Sequence, residues 1–257
     1  LATPSLFTRY HAAPHMDGAL VVGVSQSGES PDLVAVVVEG RRQGCQTLAI
    51  TNVVDSPLAK AAHHVIGLRA GREWSIAATK TYTAQLTALA MLSTELAQDG
   101  ARRCELTRVP EFVASAAGVD DAMVAAAAET LRGAGGGVVL GRGFNFATAF
   151  ELALKAKELA HVAVEPYSSA DFQHGPIALI DTGFAAVVIN VAGAVRVNLK
   201  KSSSSGSPSN APVNANGKES GVAVVGSSFV ASASSNPAVF VQLPALDWTP
   251  PTETLTG

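Results

Sequence analysis

Cysteine is scarce: Cys45 and Cys104 are the only two in 257 residues. They lie in separate predicted elements, and neither belongs to a C-x-x-C or a Cys/His cluster with metal-ligand spacing. The expectation is a reduced chain in the cytoplasm, neither disulfide-stapled nor zinc-bound. No large excess of either charge is present. The formal net charge is −3, so no concentrated basic face is available for a phosphate backbone, and nucleic acid is not an expected partner. Apolar runs are broken by Gly, Ser or charged residues well short of a bilayer span, and residues 1–10 show neither a basic n-region nor an apolar core, so neither a membrane segment nor a signal peptide is expected. Charged residues make up only 15% of the chain against 47% hydrophobic, which excludes disorder throughout and leaves room for one or two compact domains.

What is present is a β-loop-α pattern. Residues 18–24 (GALVVGV) form a short β-branched run of the kind buried on both faces of a parallel sheet, followed at once by a polar loop. Pro31 stands where a first helical position belongs, and Leu33, Val34, Val37 and Val38 recur at helical spacing until Gly44 ends the pattern. The spacing predicts further strands at 47–51, 64–68, 138–140 and 185–191. It predicts helices at 57–63, at 76–98 (long and mostly buried) and at 146–160, with a helical linker at about 110–131. Strands alternating with helices predict an α/β fold with parallel sheets covered on both sides. After Ala192 the composition shifts to Ser, Asn, Gly and Pro, as in a flexible linker with weak strands.

The loop Ser25, Gln26, Ser27, Gly28, Glu29, Ser30 puts three hydroxyls, an amide and a permissive glycine between a strand end and a helix start. These are the components of an oxyanion site: free N–H groups, a favourable helix dipole and side-chain donors. The plainer reading is a serine-rich N-cap. Glu151, Lys155 and Glu158 are spaced by four and three and share one helix face. A carboxylate beside an ammonium can serve as a proton-transfer base, or the triplet can be a solvated ion-pair ladder. His174 sits in a Gly/Pro-framed loop as an acid/base candidate, whereas His11, His15, His63, His64 and His161 take the exposed reading. Thr79, Lys80, Thr81 and Thr83 either face a cleft or bond back to the preceding turn. Arg142, between two glycines, either meets phosphate or caps the sheet edge.

Six motifs in order resemble one family. Ser25-Gln-Ser-Gly-Glu-Ser30, Ala70-Gly-Arg-Glu73, Ala77-Ala-Thr-Lys80, Leu140-Gly-Arg-Gly143, Glu151-Leu-Ala-Leu-Lys155-Ala-Lys-Glu158 and Phe172-Gln-His-Gly-Pro-Ile-Ala-Leu-Ile180 are similar to the sugar isomerase (SIS) proteins. They resemble the isomerase half of glucosamine-6-phosphate synthase, and still more the stand-alone SIS proteins that deaminate or isomerise amino-sugar phosphates. The resemblance implies two flavodoxin-like SIS halves and a hexose 6-phosphate or amino-sugar 6-phosphate held in a site shared across a homodimer, with no metal or organic cofactor. It implies phosphate binding by Ser25, Gln26, Ser27 and Ser30, and further pocket residues at Ile76, Ala77, Ala78, Thr79 and Lys80. Glu158 is then the base moving a proton between C1 and C2, Lys155 lies beside it, and His174 is the ring-opening acid/base.

The departures shape the expectation. Ala78 stands where the synthase has a serine near the sugar, and the chain has no Cys-dependent glutaminase domain, so an isomerase or deaminase is favoured over a complete glutamine-using synthase. The implied layout is a first half at 1–106 lacking its opening strand, a linker at 107–132, a truncated second half at 133–192 and an atypical tail at 193–257, for which a reading-frame shift is one explanation. A non-catalytic sugar-phosphate-binding module and an inactive truncated relative are the alternatives to an enzyme.

Overall fold

The computed structural model describes residues 3–118, 120–132, 134, 136–180, 184–189, 222–225 and 240–241. The chain forms two compact units, Leu1–Val109 and Pro110–Gly257. Both are α/β with parallel sheets.

In the first unit a short helix α1 (Ser5–Thr8) precedes β1 (Leu20–Ser25), α2 (Pro31–Arg42), β2 (Gln46–Thr51), α3 (Pro57–Ala61), β3 (His64–Gly67), α4 (Lys80–Ala97) and α5 (Gly100–Leu106). The strands lie in the order β1-β2-β3, all parallel. Alternation along β1 sends Val21 to one face, where it packs with Val36 and Val37 of α2 and Leu58 of α3. Val22 and Val24 go to the other face, with Ile50 and with Ala88 and Leu92 of α4. Each face of the sheet therefore has its own helical cover, and full burial of a side chain such as Leu58 contributes about 1.5–3 kcal/mol. Close packing fixes the small residues: a Cβ on Gly23 would lie 2.9 Å from Leu58 Cδ1, and one on Gly40 2.8 Å from Val21 Cγ2. Register pairs Ser25 with Thr51 and Thr51 with Gly67, so all three strands end together and their loops emerge along one edge.

The second unit takes up most of α6 (Val109–Ala117), then α7 (Asp121–Arg132), β4 (Gly137–Gly141), α8 (Phe144–Lys155), β5 (Val164–Ser168), β6 (Ala185–Ile189), β7 (Val222–Val225) and β8 (Phe240–Val241). Its strand order is β5-β4-β6-β7-β8, again all parallel. Strand β4, flanked by β5 and β6, is wholly buried. Val139 packs with Ala149 and Ala153 of α8, and Val138 and Leu140 pack on the opposite face with Phe172 and Ile180.

Four expectations change. The long helix begins at Lys80 rather than 76, and only Thr81, Ala88 and Thr94 along it are buried, so it is not mostly buried. The helical linker is two helices, α6 and α7, rather than one segment. Helix 146–160 is α-helical only to Lys155 and continues as a π turn over Ala156–Ala160. Strand β5 was not anticipated, because Pro166 argues against a strand, and its place at the sheet edge is where proline is tolerated. Of the tail at 193–257, β7 and β8 lie in the sheet, and the remainder, including the serine-rich stretch, is outside the described residues. No described helix is long and apolar enough to cross a membrane.

Candidate functional site

The loop after β1 is built from its own hydroxyls. Ser25 Oγ accepts from Gly28 N at 3.0 Å and Ser27 Oγ from Glu29 N at 3.3 Å. Ser30 is the N-cap of α2, its Oγ accepting from Leu33 N at 3.5 Å, with Pro31 at the first helical position. Ser30 therefore caps α2, a role that uses its oxygen as acceptor. In each case the oxygen is the acceptor, which leaves the hydroxyl proton to donate outward. An anion at this loop would meet these O–H groups at the positive end of a 12-residue helix.

Neighbouring strands hold the loop in shape. Gln26 O accepts from Asn52 N at 3.1 Å and from the buried Thr51 hydroxyl at 3.3 Å. Gly28 O accepts from Leu58 N at 3.0 Å, and Gly28 has φ +69° with Ser56 pressed against its Cα. The loop is therefore seated on the ends of β2 and α3.

Beside it runs the segment from Leu68 to Thr79. Asn52 grips it with both ends of its amide: Nδ2 donates to Gly71 O at 2.7 Å, and Oδ1 accepts from Ala70 N at 2.9 Å. At the far end the Glu73 carboxylate accepts from Thr79 N (3.0 Å), Thr81 N (3.3 Å) and the Thr81 hydroxyl (2.8 Å), and it lies 3.3 Å from Lys80 Nζ. These bonds, the Thr81 hydroxyl foremost, hold the Glu73 carboxyl below the usual carboxylate range despite partial burial. Of the pocket candidates, Ala77 is buried, Ala78 half-buried, and Ile76, Thr79 and Lys80 exposed. Lys80 Nζ also donates to Arg72 O. Thr83 bonds back to Lys80 O and Thr87 to Thr83 O, the ordinary helical use of threonine. Asn52 was not singled out from the sequence, and Glu73 entered only as the end of a motif with no role of its own, because their partners are non-local or fall at no recognised motif spacing.

In the second unit the structure joins Glu151, Lys155 and Glu158. Lys155 Nζ lies 3.3 Å from Glu151 and 2.9 Å from Glu158, with the lysine side chain only 17% exposed. The hydrogen bond that Lys155 donates to Glu158 raises the lysine pKa, burial opposes it, and the bond to Glu151 adds to the rise, so Lys155 is an ammonium. Glu158 stands on the π turn, which ends at His161 with φ +55°. Such turns are rare and are frequent at functional sites.

His174 is exposed at the end of a 3-10 turn, Asp171–His174, and Gly175 follows with φ +152°. Phe172, wholly buried against Tyr167, anchors that turn. Among the described residues no hydrogen bond or ion pair links His174 to the Glu151, Lys155 and Glu158 group. Arg142 is exposed just past β4.

Residues 5–95 match the SIS domain family. The chain is 39% identical over 188 residues to the isomerizing glutamine–fructose-6-phosphate aminotransferase of Thermococcus kodakarensis, covering 70% of this chain and 31% of that protein. It therefore spans about a third of the length of the curated relatives it matches. A crystal structure from Silicibacter pomeroyi DSS-3, assigned as a phosphosugar isomerase, superposes with a TM-score of 0.69 at 38% identity over 75% of this chain and 58% of that one. The C-terminal domain of glucosamine-fructose-6-phosphate aminotransferase from Francisella tularensis superposes with a TM-score of 0.73 over 93% of this chain and 68% of that one, and at 23% identity it shows a shared fold.

Proposed function

We propose that this chain, whose residues 5–95 match the SIS domain family, binds a hexose 6-phosphate or amino-sugar 6-phosphate and interconverts its aldose and ketose forms; where the sugar carries a C2 amine, the same proton shift gives a C2 imine, which water hydrolyses to the ketone and ammonia. The observation that carries this reading is the loop at 25–30, whose three serine oxygens are occupied as acceptors while their protons remain free to donate. Ser25, Gln26, Ser27 and Ser30 take the phosphate. The segment holding Ile76, Ala77, Ala78, Thr79 and Lys80 takes the sugar.

Glu158 is the base. It removes a proton from the carbon next to the carbonyl, giving an enediolate, and returns it to the neighbouring carbon, so that C1 and C2 exchange oxidation level without an external oxidant. Lys155, held as an ammonium 2.9 Å away, keeps a positive charge beside that carboxylate. His174 opens the sugar ring by protonating the ring oxygen and accepting the anomeric hydroxyl proton. The acting form is a homodimer, and the compartment is the cytoplasm, with which two free thiols, one of them Cys45 donating to Met16 O, are in keeping. A second reading, a module that binds sugar phosphate without turnover, is favoured by one observation: Lys155 is clamped between two carboxylates as in a plain ion-pair ladder.

Replacing Glu158 with Gln separates the two. Isomerisation of fructose 6-phosphate and ammonia release from glucosamine 6-phosphate should fall at least about a hundredfold while calorimetric binding of the sugar phosphate persists. Turnover unchanged by Glu158→Gln would remove Glu158 from the chemistry. Saturable binding with no turnover in the unaltered chain would select the binding module.

A further inference from the structure

The Ala70-Gly-Arg-Glu73 motif has no part in the reading above, yet the structure spends unusual resources on holding it. Arg69 and Gly71 both have positive φ, +53° and +70°. A non-glycine residue in that region persists only where its surroundings over-determine it. Here Asn52 supplies the constraint, since its one side chain satisfies the N–H of Ala70 and the C=O of Gly71, the peptide groups on either side of the Ala70–Gly71 bond. The backbone N–H of the same Asn52 holds Gln26 O in the serine loop. One residue thus ties the serine loop to the start of the neighbouring segment.

The other end is closed by Glu73, whose carboxylate gathers Thr79 N, Thr81 N, the Thr81 hydroxyl and Lys80 Nζ. Between the two anchors the segment is fixed but presents apolar surface outward: Ile76 is fully exposed and Trp74 80% exposed, with the Arg72 guanidinium 4.2 Å from the Trp74 ring centroid. Restraining an exposed segment at both ends costs conformational entropy, and the return lies in presenting a preformed surface to a ligand.

Resting on the sugar-phosphate reading, we propose that Asn52 and Glu73 are positioning residues: they hold residues 68–79 beside the serine loop as a fixed wall for the sugar, while the phosphate is held by the serine loop itself. Neither side chain needs to touch the ligand. Asn52→Ala removes only the side-chain grip, because the bond from its backbone N–H to Gln26 O survives. Glu73→Gln keeps the size but turns an amide N–H₂ toward groups that are themselves donors.

The test measures binding of fructose 6-phosphate and of inorganic phosphate by calorimetry to the unaltered full chain and to each variant, with amide hydrogen exchange alongside. Protection should fall at least about tenfold at Ala70 in Asn52→Ala, and at Thr79 and Thr81 in Glu73→Gln, with β1 and β2 unchanged. Affinity for fructose 6-phosphate should fall at least about tenfold and that for inorganic phosphate less than about threefold. Two different substitutions at opposite ends of the segment guard against one of them failing to fold. Fructose 6-phosphate affinity within about threefold of the unaltered chain in both variants overturns the positioning role, and so does an equal loss for both ligands. If the unaltered chain binds neither ligand, the sugar-phosphate reading itself falls and takes the positioning role with it.

Discussion

Gly28 is the position where the serine loop is most tightly specified, and Gly28→Ala puts a number on it. Two costs arise separately. With φ +69°, alanine is held in the left-handed region at a cost of roughly 1–2 kcal/mol. Its Cβ would also lie 2.2 Å from Ser56 Oγ, 2.7 Å from Ser56 Cβ and 3.2 Å from Thr51 Oγ1, an overpacking cost of about 1–3 kcal/mol. Ser56 cannot swing away freely, because its Oγ caps α3 through Ala59 N at 3.3 Å, and losing a cap costs about 1 kcal/mol. The sum is about 2–5 kcal/mol, a large share of a typical domain's net stability. Gly44 provides the control. It has φ +81° and nothing within 4 Å of a built Cβ, so Gly44→Ala should cost only the first term, about 1–2 kcal/mol.

The chain has two units, so unfolding is best followed by amide exchange in β1 and β2 under increasing denaturant, which reports the first unit alone. Adding Ser56→Gly, which removes both nearest atoms, should recover part of the Gly28→Ala loss in a double-mutant cycle. Equal destabilisation by Gly28→Ala and Gly44→Ala, or a cycle with no coupling, would show that the loop does not rest on Ser56 as described.

Other outcomes follow from the same geometry. Replacing Ser25 and Ser27 together with Ala should weaken sugar-phosphate binding by about 1.5–3 kcal/mol per lost charge-assisted bond and leave the unphosphorylated sugar unaffected, as read by calorimetry; equal losses for both would reject the phosphate role. Ser169 Oγ is buried with no hydrogen-bond partner among the described residues, so Ser169→Ala should be neutral or stabilising in denaturant unfolding, and a loss above about 1 kcal/mol would reveal a partner. The Glu73 carboxyl is depressed below its ordinary 4.5, so its contribution to stability is complete above the unfolded value and is lost as pH falls through the lower folded one. Carbon-13 titration of that carboxyl should show a midpoint below the ordinary value, with Thr81 amide protection falling in step, and a midpoint at or above 4.5 would contradict the bonding described.

Much of the first unit was legible because its signals are local. A β-branched run, a serine before Pro31, helical spacing of Leu33, Val34, Val37 and Val38, and a stop at Gly44 (φ +81°) fall within one stretch and agree with one another. The three hydroxyls of the serine loop were legible for the same reason. What stayed hidden depends on distance along the chain. Helix α4 starts at Lys80 because Glu73, several residues upstream, takes up its first N–H groups, and no capping signature has that spacing. Asn52 meets Ala70 and Gly71 through the fold, and a lone asparagine after a strand reads as a turn residue. Strand β5 was obscured by Pro166, which becomes acceptable only once the strand is known to lie at an edge. The Ala- and Leu-rich composition of α4 suggested burial, yet Leu86, Met91 and Leu96 are exposed, since composition reports helix propensity and not which face is covered.

Helix geometry favours the proposal that the Glu151, Lys155 and Glu158 group is more than an ion-pair ladder. Spacings of four and three already bring both carboxylates to the lysine on an ordinary α-helix, and pairs of this kind contribute about 0.2–0.5 kcal/mol each. If the ladder were all that was required, the helix would have no reason to leave α geometry. Instead it changes to a π turn at Ala156–Ala160, directly beneath Glu158, accepting a rarer hydrogen-bond register that adds nothing to ion pairing. A local departure without local compensation is expected where position matters more than stability. Lys155→Met, which removes the charge and keeps an unbranched apolar chain, should therefore slow turnover through Glu158, and because the lysine is only 17% exposed between two carboxylates it should also lower the stability of the second unit. If it lowers stability and leaves turnover intact, the lysine serves the helix and the π turn has some other cause.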